Sequence, residues 1–294
     1  LTVQNVHVSQ IQTYDTCPKM YKYRYVDRLI PLIDNPKLFF GTGIHKGLET
    51  FYSTNSAEEA LLAYDAWLEK ALATIIEHGG DVDIAKESAD IGKPLLEAYM
   101  AYAQQEDNFI ATHTEQKFEV PIWTDRGTPL NVYGKLIQHQ GTIDGIGRDS
   151  HGRLVLIEHK TAKDFPSDLS LQLNQQVSYY LLAANQLFDE TITHVVYNII
   201  RKMNPKKART PVIQRKIITR TPAELKTAKM QLARKTFRML TDKDCDPAPG
   251  MHCGWQCAYS ALCTAEQAGY CTKETVARAY TVLPEETKEN DENA

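Results

Sequence analysis

The chain has 294 residues, 33 Lys+Arg against 37 Asp+Glu, nine His and six Cys, for a formal net charge of −4. With 43% hydrophobic and 24% charged residues, wholesale disorder is excluded, and the length suits one large or two modest domains whose core needs no disulfides. No apolar run approaches the ~20 residues of a membrane span, and no charged-then-apolar leader opens the chain, so the expectation is a soluble intracellular protein.

Taken by segment, the charge is sorted. Glu285, Glu286, Glu289, Asp291 and Glu292 against Lys288 make the 284–294 tail as negative as the whole chain, and the tail reads as disordered. Residues 57–110 are also strongly acidic, whereas 201–220 holds Lys and Arg and no acid at all. That basic block could meet a polyanion or could be a solvated surface.

In chain order, Ser9-Gln-Ile-Gln12 reads as a capping box opening a helix over 11–29, in which Tyr14, Tyr21, Tyr23 and Tyr25 stand among Lys19, Lys22, Arg24 and Arg28. Gly41-Thr-Gly-Ile-His45 opens a second helix. Helical spacing over 57–78 stops at Gly79-Gly80, and a further helix over 84–105 is kinked or broken by Gly92 and Pro94. The apolar period then shortens, giving strands over 117–123, 131–137, 141–148 and 153–160, the last two joined by a turn at Asp149-Ser-His-Gly152. A helix over 168–187, strands over 194–201 and 212–219, and a helix from Thr221-Pro222 to about Leu240 follow. Helices around a central mixed sheet define an α/β or α+β class.

The chemistry gathers in Gly141-Thr-Ile-Asp144-Gly-Ile-Gly and Leu154-Val-Leu-Ile-Glu158-His-Lys160. Glu158 and Lys160 are two apart on a strand and project from one face, together with Leu154 and Leu156. A carboxylate at the end of such an apolar strand is costly alone, and a divalent metal shared with Asp144 would satisfy it. Lys160 could then orient a water or stabilise charge on a phosphate. A plain acid–lysine pair at a sheet end fits the same spacing.

Asp144 followed by Glu158-x-Lys160 resembles the core motif of the PD-(D/E)XK nucleases, in particular the RecB-type branch of recombination and CRISPR-adaptation exonucleases. Minor motifs resemble that branch in the same order: Cys17-Pro18 in a Tyr-rich basic helix, Gly41-Thr-Gly-Ile-His45, and Gln176-Val-Ser-Tyr-Tyr180. Gln175 and Tyr179 fit the last spacing too, but small apolar residues follow Tyr180, as they do the family's tyrosine.

The resemblance implies an α/β, restriction-endonuclease-like core forming a single nuclease domain over 1–283, with a helical insertion over 57–110 and a Cys-rich segment over 241–272 packed with the N-terminal helix. It implies His45, Asp144, Glu158 and the backbone carbonyl of His159 as ligands of one or two Mg or Mn ions, with Lys160 as catalytic lysine. It also implies Gln176 and Tyr180 as residues positioning DNA. Glu49, one turn beyond His45, could orient its ring or be a solvated acid.

Six cysteines in such a chain read as metal ligands or free thiols before disulfides. Iron–sulfur members of the branch join one N-terminal and three C-terminal cysteines around a 4Fe–4S cluster, which implies Cys17, Cys253, Cys257 and Cys263 here. Cys245 or Cys271 could replace Cys253, and four thiolates also suit zinc.

The implied activity is metal-dependent exonuclease cleavage of DNA, on single-stranded ends and 5′→3′. A structure- or site-specific endonuclease and a non-catalytic DNA-binding subunit of a recombination or repair complex are the alternatives. The implied setting is a bacterial, archaeal or phage-infected cytoplasm, with a helicase, recombination or CRISPR protein as partner. The phosphate candidates are the 201–220 block and Lys226, Lys229, Arg234, Lys235 and Arg238.

Overall fold

The computed structural model describes residues 2–32, 36–77, 82–255 and 257–283. The expected stop at Gly79-Gly80 and the acidic tail lie outside the described residues. The elements run β1 (Thr2–Val6), α1 (Val8–Thr16), α2 (Pro18–Tyr21), a π-helical turn (Lys22–Val26), β2 (Leu29–Pro31), α3 (Pro36–Thr54), α4 (Ala57–Glu77) and α5 (Val82–Glu106). There follow β3 (Phe109–Pro121), β4 (Asn131–Val132), β5 (Lys135–Asp149), β6 (Leu154–Ala162), α6 (Asp168–Gln172), α7 (Gln175–Leu187), β7 (His194–Arg201), β8 (Ile213–Thr219) and α8 (Pro222–Thr241). The chain closes with α9 (His252–Trp255), α10 (Ser260–Gln267), α11 (Lys273–Ala279) and β9 (Tyr280–Val282).

Among the described residues a seven-stranded mixed sheet has the order β1-β5-β6-β7-β8, with β3 and β4 also paired to β5. The β1–β5 and β6–β7 pairs are parallel and the others antiparallel. One core contains α1, α7, α8 and residues such as Ile143, Leu156 and Tyr197 of the sheet. A second, built on Ile44, Leu48, Leu95 and Tyr99, joins α3, α4 and α5. Helices flanking a mixed sheet are the architecture expected from the change of apolar period.

Several boundaries differ from the expectation, each for a local reason. The first helix is capped from His7, whose N–H donates to Gln10 Oε1 at 3.0 Å, rather than from Ser9. It does not run on to residue 29, because Pro18 opens a new helix after an extended Cys17. The 168–187 helix is split at Asn174, whose side chain accepts the Gln176 N–H at 2.9 Å and starts α7 afresh. The strand expected over 131–137 is a tight hairpin instead: Tyr133 and Gly134 have φ of 50° and 80°, the two-residue turn that suits strand twist. Pro94 stays inside a continuous α5, where burial of Leu95, Leu96 and Tyr99 outweighs the lost backbone bond.

The seating of α3 is set by two glycines that bracket His45. A Cβ on Gly43 would fall 2.4 Å from the Trp67 ring and one on Gly47 2.4 Å from Leu96. Only backbone fits against α4 and α5 there, so α3 lies close to both and His45 points to the sheet.

His139 of β5 is 1% exposed, and neither ring nitrogen has a hydrogen-bond partner. The ring sits edge-on to Phe118 at 4.9 Å and stacks on Tyr180 at 6.3 Å. Burial, with His7 adding, pushes its pKa down to about 3 from 6.5. The fold therefore holds a neutral ring that the unfolded chain protonates below pH 6.5, and stability is lost as pH falls, by about 1.4 kcal/mol per pH unit until about pH 3. His139→Phe, which keeps an aromatic ring, should flatten the acid limb of a plot of Tm against pH. An acid limb identical to wild type would contradict this assignment.

Candidate active site

Strands β5 and β6 pair from Gly145↔Ile157 to Arg148↔Leu154 and part beyond that point. Asp144 and Glu158 therefore lie where the hairpin opens. The gap is bridged by the His159 N–H, which donates to Asp144 Oδ2 at 2.6 Å. From α3, His45 Nδ1 reaches to 3.5 Å from Asp144 Oδ1. The sequence motifs thus converge from three separate elements.

Glu115 completes the group, and sequence reasoning missed it. It lies on β3 opposite Asp144, between the Thr114↔Gly145 and Gln116↔Ile143 pairs. Ligand atoms of His45, Glu115 and Asp144 all lie within 4.8 Å of one another. Glu115 has φ of 46°, a left-handed conformation that costs about 1–2 kcal/mol for a residue with a Cβ. Such strain in a strand re-aims one side chain and is typical of functional positions. In sequence the only signal is an acid in a polar stretch just before a strand.

The electrostatics suit a cation. Glu158 is 5% exposed, and its Oε2 has no hydrogen-bond partner. Burial, then the Asp144 charge, pushes its pKa up to about 8 against the pull of Lys160 and His45. Burial also works to raise Asp144, but the His45 charge and bond and the His159 N–H hold it below the usual carboxylate range. Burial works to lower His45, yet Asp144 and Glu158 carry it up to about 9. An orphaned buried carboxylate oxygen beside two further acids and an imidazole is the donor set a hard divalent ion takes. His45, Glu115 and Asp144 could hold such an ion between them, and the Glu158 carboxylate lies outside that group among the described residues.

His159, between Glu158 and Lys160, is held from behind. Its ring stacks on Tyr52 at 5.4 Å and meets Tyr99 edge-on at 5.9 Å. Asn198 Nδ2 lies 3.3 Å from its Nδ1, and Arg215 Nε donates to Asn198 Oδ1 at 2.7 Å. Arg215 also donates to the Glu106 carbonyl at 2.7 Å and pairs with Asp107, which accepts from the Tyr52 hydroxyl at 3.0 Å. The backbone that carries the E-x-K acid is anchored in this buried network.

The basic block is accordingly not one surface. Arg215 is spent on Asp107, and Arg220, 2% exposed, donates to Ser178 Oγ and the Leu171 carbonyl, both at 3.0 Å, bracing the α6–α7 junction. Lys206, Lys207 and Arg209 are exposed. Their loop adjoins the end of β6, where the Lys202 N–H donates to the Ala162 carbonyl at 2.8 Å.

Gln176 Nε2 donates to Tyr180 Oη at 3.2 Å on α7. In the alternative register, Gln175 accepts from Lys235 at 2.8 Å and the Tyr179 hydroxyl is buried without a partner. Glu49 pairs with Lys46 at 2.7 Å, and no bond to His45 is recorded among the described residues.

Cys17, Cys253, Cys257 and Cys263 line one cavity of about 160 Å³, and Cys245 and Cys271 are not among its described lining residues. N–H groups of Ala248, Gly250 and Gln267 donate to Cys17, Cys253 and Cys263 at 3.4, 3.5 and 3.3 Å, and the Tyr259 backbone donates to Cys257. Each thiol thus has an N–H donor beside it, although burial holds the Cys257 and Cys263 thiols above their ordinary range.

The site therefore offers His45, Glu115 and Asp144 as a group that could hold a divalent metal. The sequence profile of the PD-(D/E)XK nuclease superfamily matches residues 6–264, and the chain belongs to that superfamily. Its members use divalent metal ions and act on DNA. Among solved structures, the chain is similar to SSO0001, at 16% identity and a TM-score of 0.41, over 89% of this chain and 86% of that one. It is also similar to a candidate exonuclease from Eubacterium rectale, at 12% identity and a TM-score of 0.41, over 80% and 79% of the two chains. No curated protein matches the sequence. No described helix is long and apolar enough to cross a membrane.

Proposed function

We propose that the protein is a Mg²⁺- or Mn²⁺-dependent exonuclease that degrades DNA from single-stranded ends, 5′→3′, in end processing of the recombination or repair kind. The observation that carries this reading is the convergence of His45, Glu115 and Asp144 beside Glu158, with Lys160 on the same strand face as Glu158. A divalent ion bound there supplies Lewis acidity to a phosphate and makes hydroxide available near neutrality.

The chain's own groups do the rest. Asp144, pinned by the His159 N–H, and Glu158 hold fixed positions on parting strands, and the His159 carbonyl completes the ligand set. Lys160 Nζ orients the attacking water and stabilises charge developing on the phosphate. Gln176 and Tyr180 position the strand at the scissile phosphate. Lys206, Lys207 and Arg209 supply phosphate contacts beyond the end of β6, so the affinity for DNA should fall steeply with salt.

The test is a time course on end-labelled linear single- and double-stranded DNA, beside a circular single strand, in Mn²⁺ and in chelator. Release of short products from linear strands with the circle intact is expected. A cut circle would replace the exonuclease reading with an endonuclease.

The same proposal includes a 4Fe–4S cluster on Cys17, Cys253, Cys257 and Cys263. Four thiols around a cavity of about 160 Å³, each met by an N–H donor, support a cluster over a single zinc ion, whose tetrahedral site draws thiolates to ~2.3 Å from one centre. Bound there, the cluster would staple the N-terminal helix to the C-terminal segment. An anaerobic preparation should be brown, and Cys257→Ser should lose the colour and its iron, whereas Cys271→Ser should keep both. A colourless wild type with stoichiometric zinc would overturn the cluster.

A further inference from the structure

The scissile phosphate and the phosphates beyond the end of β6 have partners in the proposed function, but no aromatic platform for the bases has been placed. A cavity of about 560 Å³ lies between α8 and the 124–130 segment before β4. Its lining includes apolar Leu130, Met230 and Ala233, and its α8 rim carries exposed Arg234 and Arg238. Phe237, in the same wall, is 48% exposed among these cations.

The helix that builds this wall is one-sided in charge. Glu224 is its one acid, and that side chain is spent at the N-terminus, where Glu224 Oε2 accepts the Thr221 N–H at 2.7 Å. Its basic residues include Lys226, Lys229, Arg234, Lys235 and Arg238. Arg234 has a weak exposed partner in Asp125 at 4.0 Å, which salt or a phosphate displaces readily. Arg234 and Arg238 are one helical turn, ~6 Å, apart, with Phe237 between them. Cations at that spacing around an exposed ring and an apolar lining are what single-stranded nucleic acid needs, phosphates on the rim and a base on the ring.

Lys235, at the inner side of the groove, is paired with Asp15 and donates to Gln175 Oε1 at 2.8 Å, so it ties α8 to α1 and α7 and leaves Arg234 and Arg238 as the cations open to phosphate. We infer that the groove between α8 and residues 124–130 is a subsite for single-stranded nucleic acid, holding bases several nucleotides away from the bond being cut. The inference rests on the nuclease reading and deepens it by adding a length requirement to the substrate.

The test compares Phe237→Ala and Arg234→Ala/Arg238→Ala with wild type on two substrates, a 20-nucleotide single strand and the p-nitrophenyl ester of thymidine 5′-monophosphate. All three side chains are exposed, so folding should persist, and an unchanged Tm checks it. KM for the 20-mer should rise about tenfold, the size of one lost base–aromatic contact, with kcat unchanged. Hydrolysis of the short ester, which cannot reach the groove, should match wild type. Unchanged KM for the 20-mer would overturn the subsite, as would an equal loss on both substrates. In the Lys160→Ala background, fluorescence anisotropy should show labelled 20-mer bound and an acidic peptide of equal charge not. Preferential capture of the peptide would assign the groove to a protein partner instead. Failure of wild type to hydrolyse either substrate would remove the nuclease reading, and the subsite with it.

Discussion

Glu158→Gln should lower phosphodiester hydrolysis by about a thousandfold or more, ~4 kcal/mol of transition-state stabilisation, with the fold intact. The substitution keeps the shape of the side chain and removes the charge that an ion needs. It also separates chemistry from folding, because the orphaned Glu158 carboxylate is a burden without metal. Its pKa is raised to about 8 in the fold, so the proton-bound form is favoured there and ionisation costs stability as pH rises from about 4.5 to 8. At pH 8 in chelator, Glu158→Gln should therefore melt no lower than wild type, and it should lose the Tm increase that Mn²⁺ gives wild type. Lys160→Ala should lose about a hundredfold to a thousandfold in kcat and keep that Mn²⁺-induced increase. Full activity in either variant, measured on end-labelled DNA, would refute the assignment of the site.

The second large effect is structural and reaches the site from behind. Arg215→Ala removes a guanidinium that is 8% exposed and bonded to Asp107, Asn198 and the Glu106 carbonyl. Breaking one side of a buried ion pair costs about 3–5 kcal/mol, since the other charge is left behind. A Tm drop of roughly 5–15 °C follows for a chain of this size. Asp107 is already raised by burial despite Arg215, so the loss should be larger at pH 8 than at pH 5, where the abandoned carboxyl takes up a proton. Thermal melts at the two pH values check the sign. Asn198 would no longer be held on the His159 ring, so kcat should also fall more than KM rises. An Arg215→Ala protein that melts like wild type would contradict the network.

The Arg215 network also shows what was and was not legible in the sequence. The β5–β6 hairpin and its Asp144…Glu158-x-Lys160 set were legible because apolar residues flank the acids and a polar turn joins the strands. His45 was legible through its glycine-rich motif, and Gly43 and Gly47 turn out to be packing contacts of α3. Charge counting misassigned Arg215 and Arg220, because the acid paired with Arg215 lies 108 positions away and Arg220 bonds to carbonyls and a hydroxyl. No local pattern records such pairs. Glu115 was hidden for a different reason: its place depends on a left-handed backbone and on register with β5, neither of which one sequence encodes visibly. The Tyr133–Gly134 hairpin was missed because apolar residues on both sides read as one strand.

His45, Glu115 and Asp144, with Glu158 beside them, are proposed as a metal-dependent centre for cutting DNA. Its most direct test is the rate of hydrolysis of linear single-stranded DNA by the purified protein, first in excess chelator and then after adding back Mn²⁺ or Mg²⁺. No turnover is expected in chelator, with recovery on adding either ion. Hydrolysis that persists in chelator, or none with any divalent ion, would contradict the assignment.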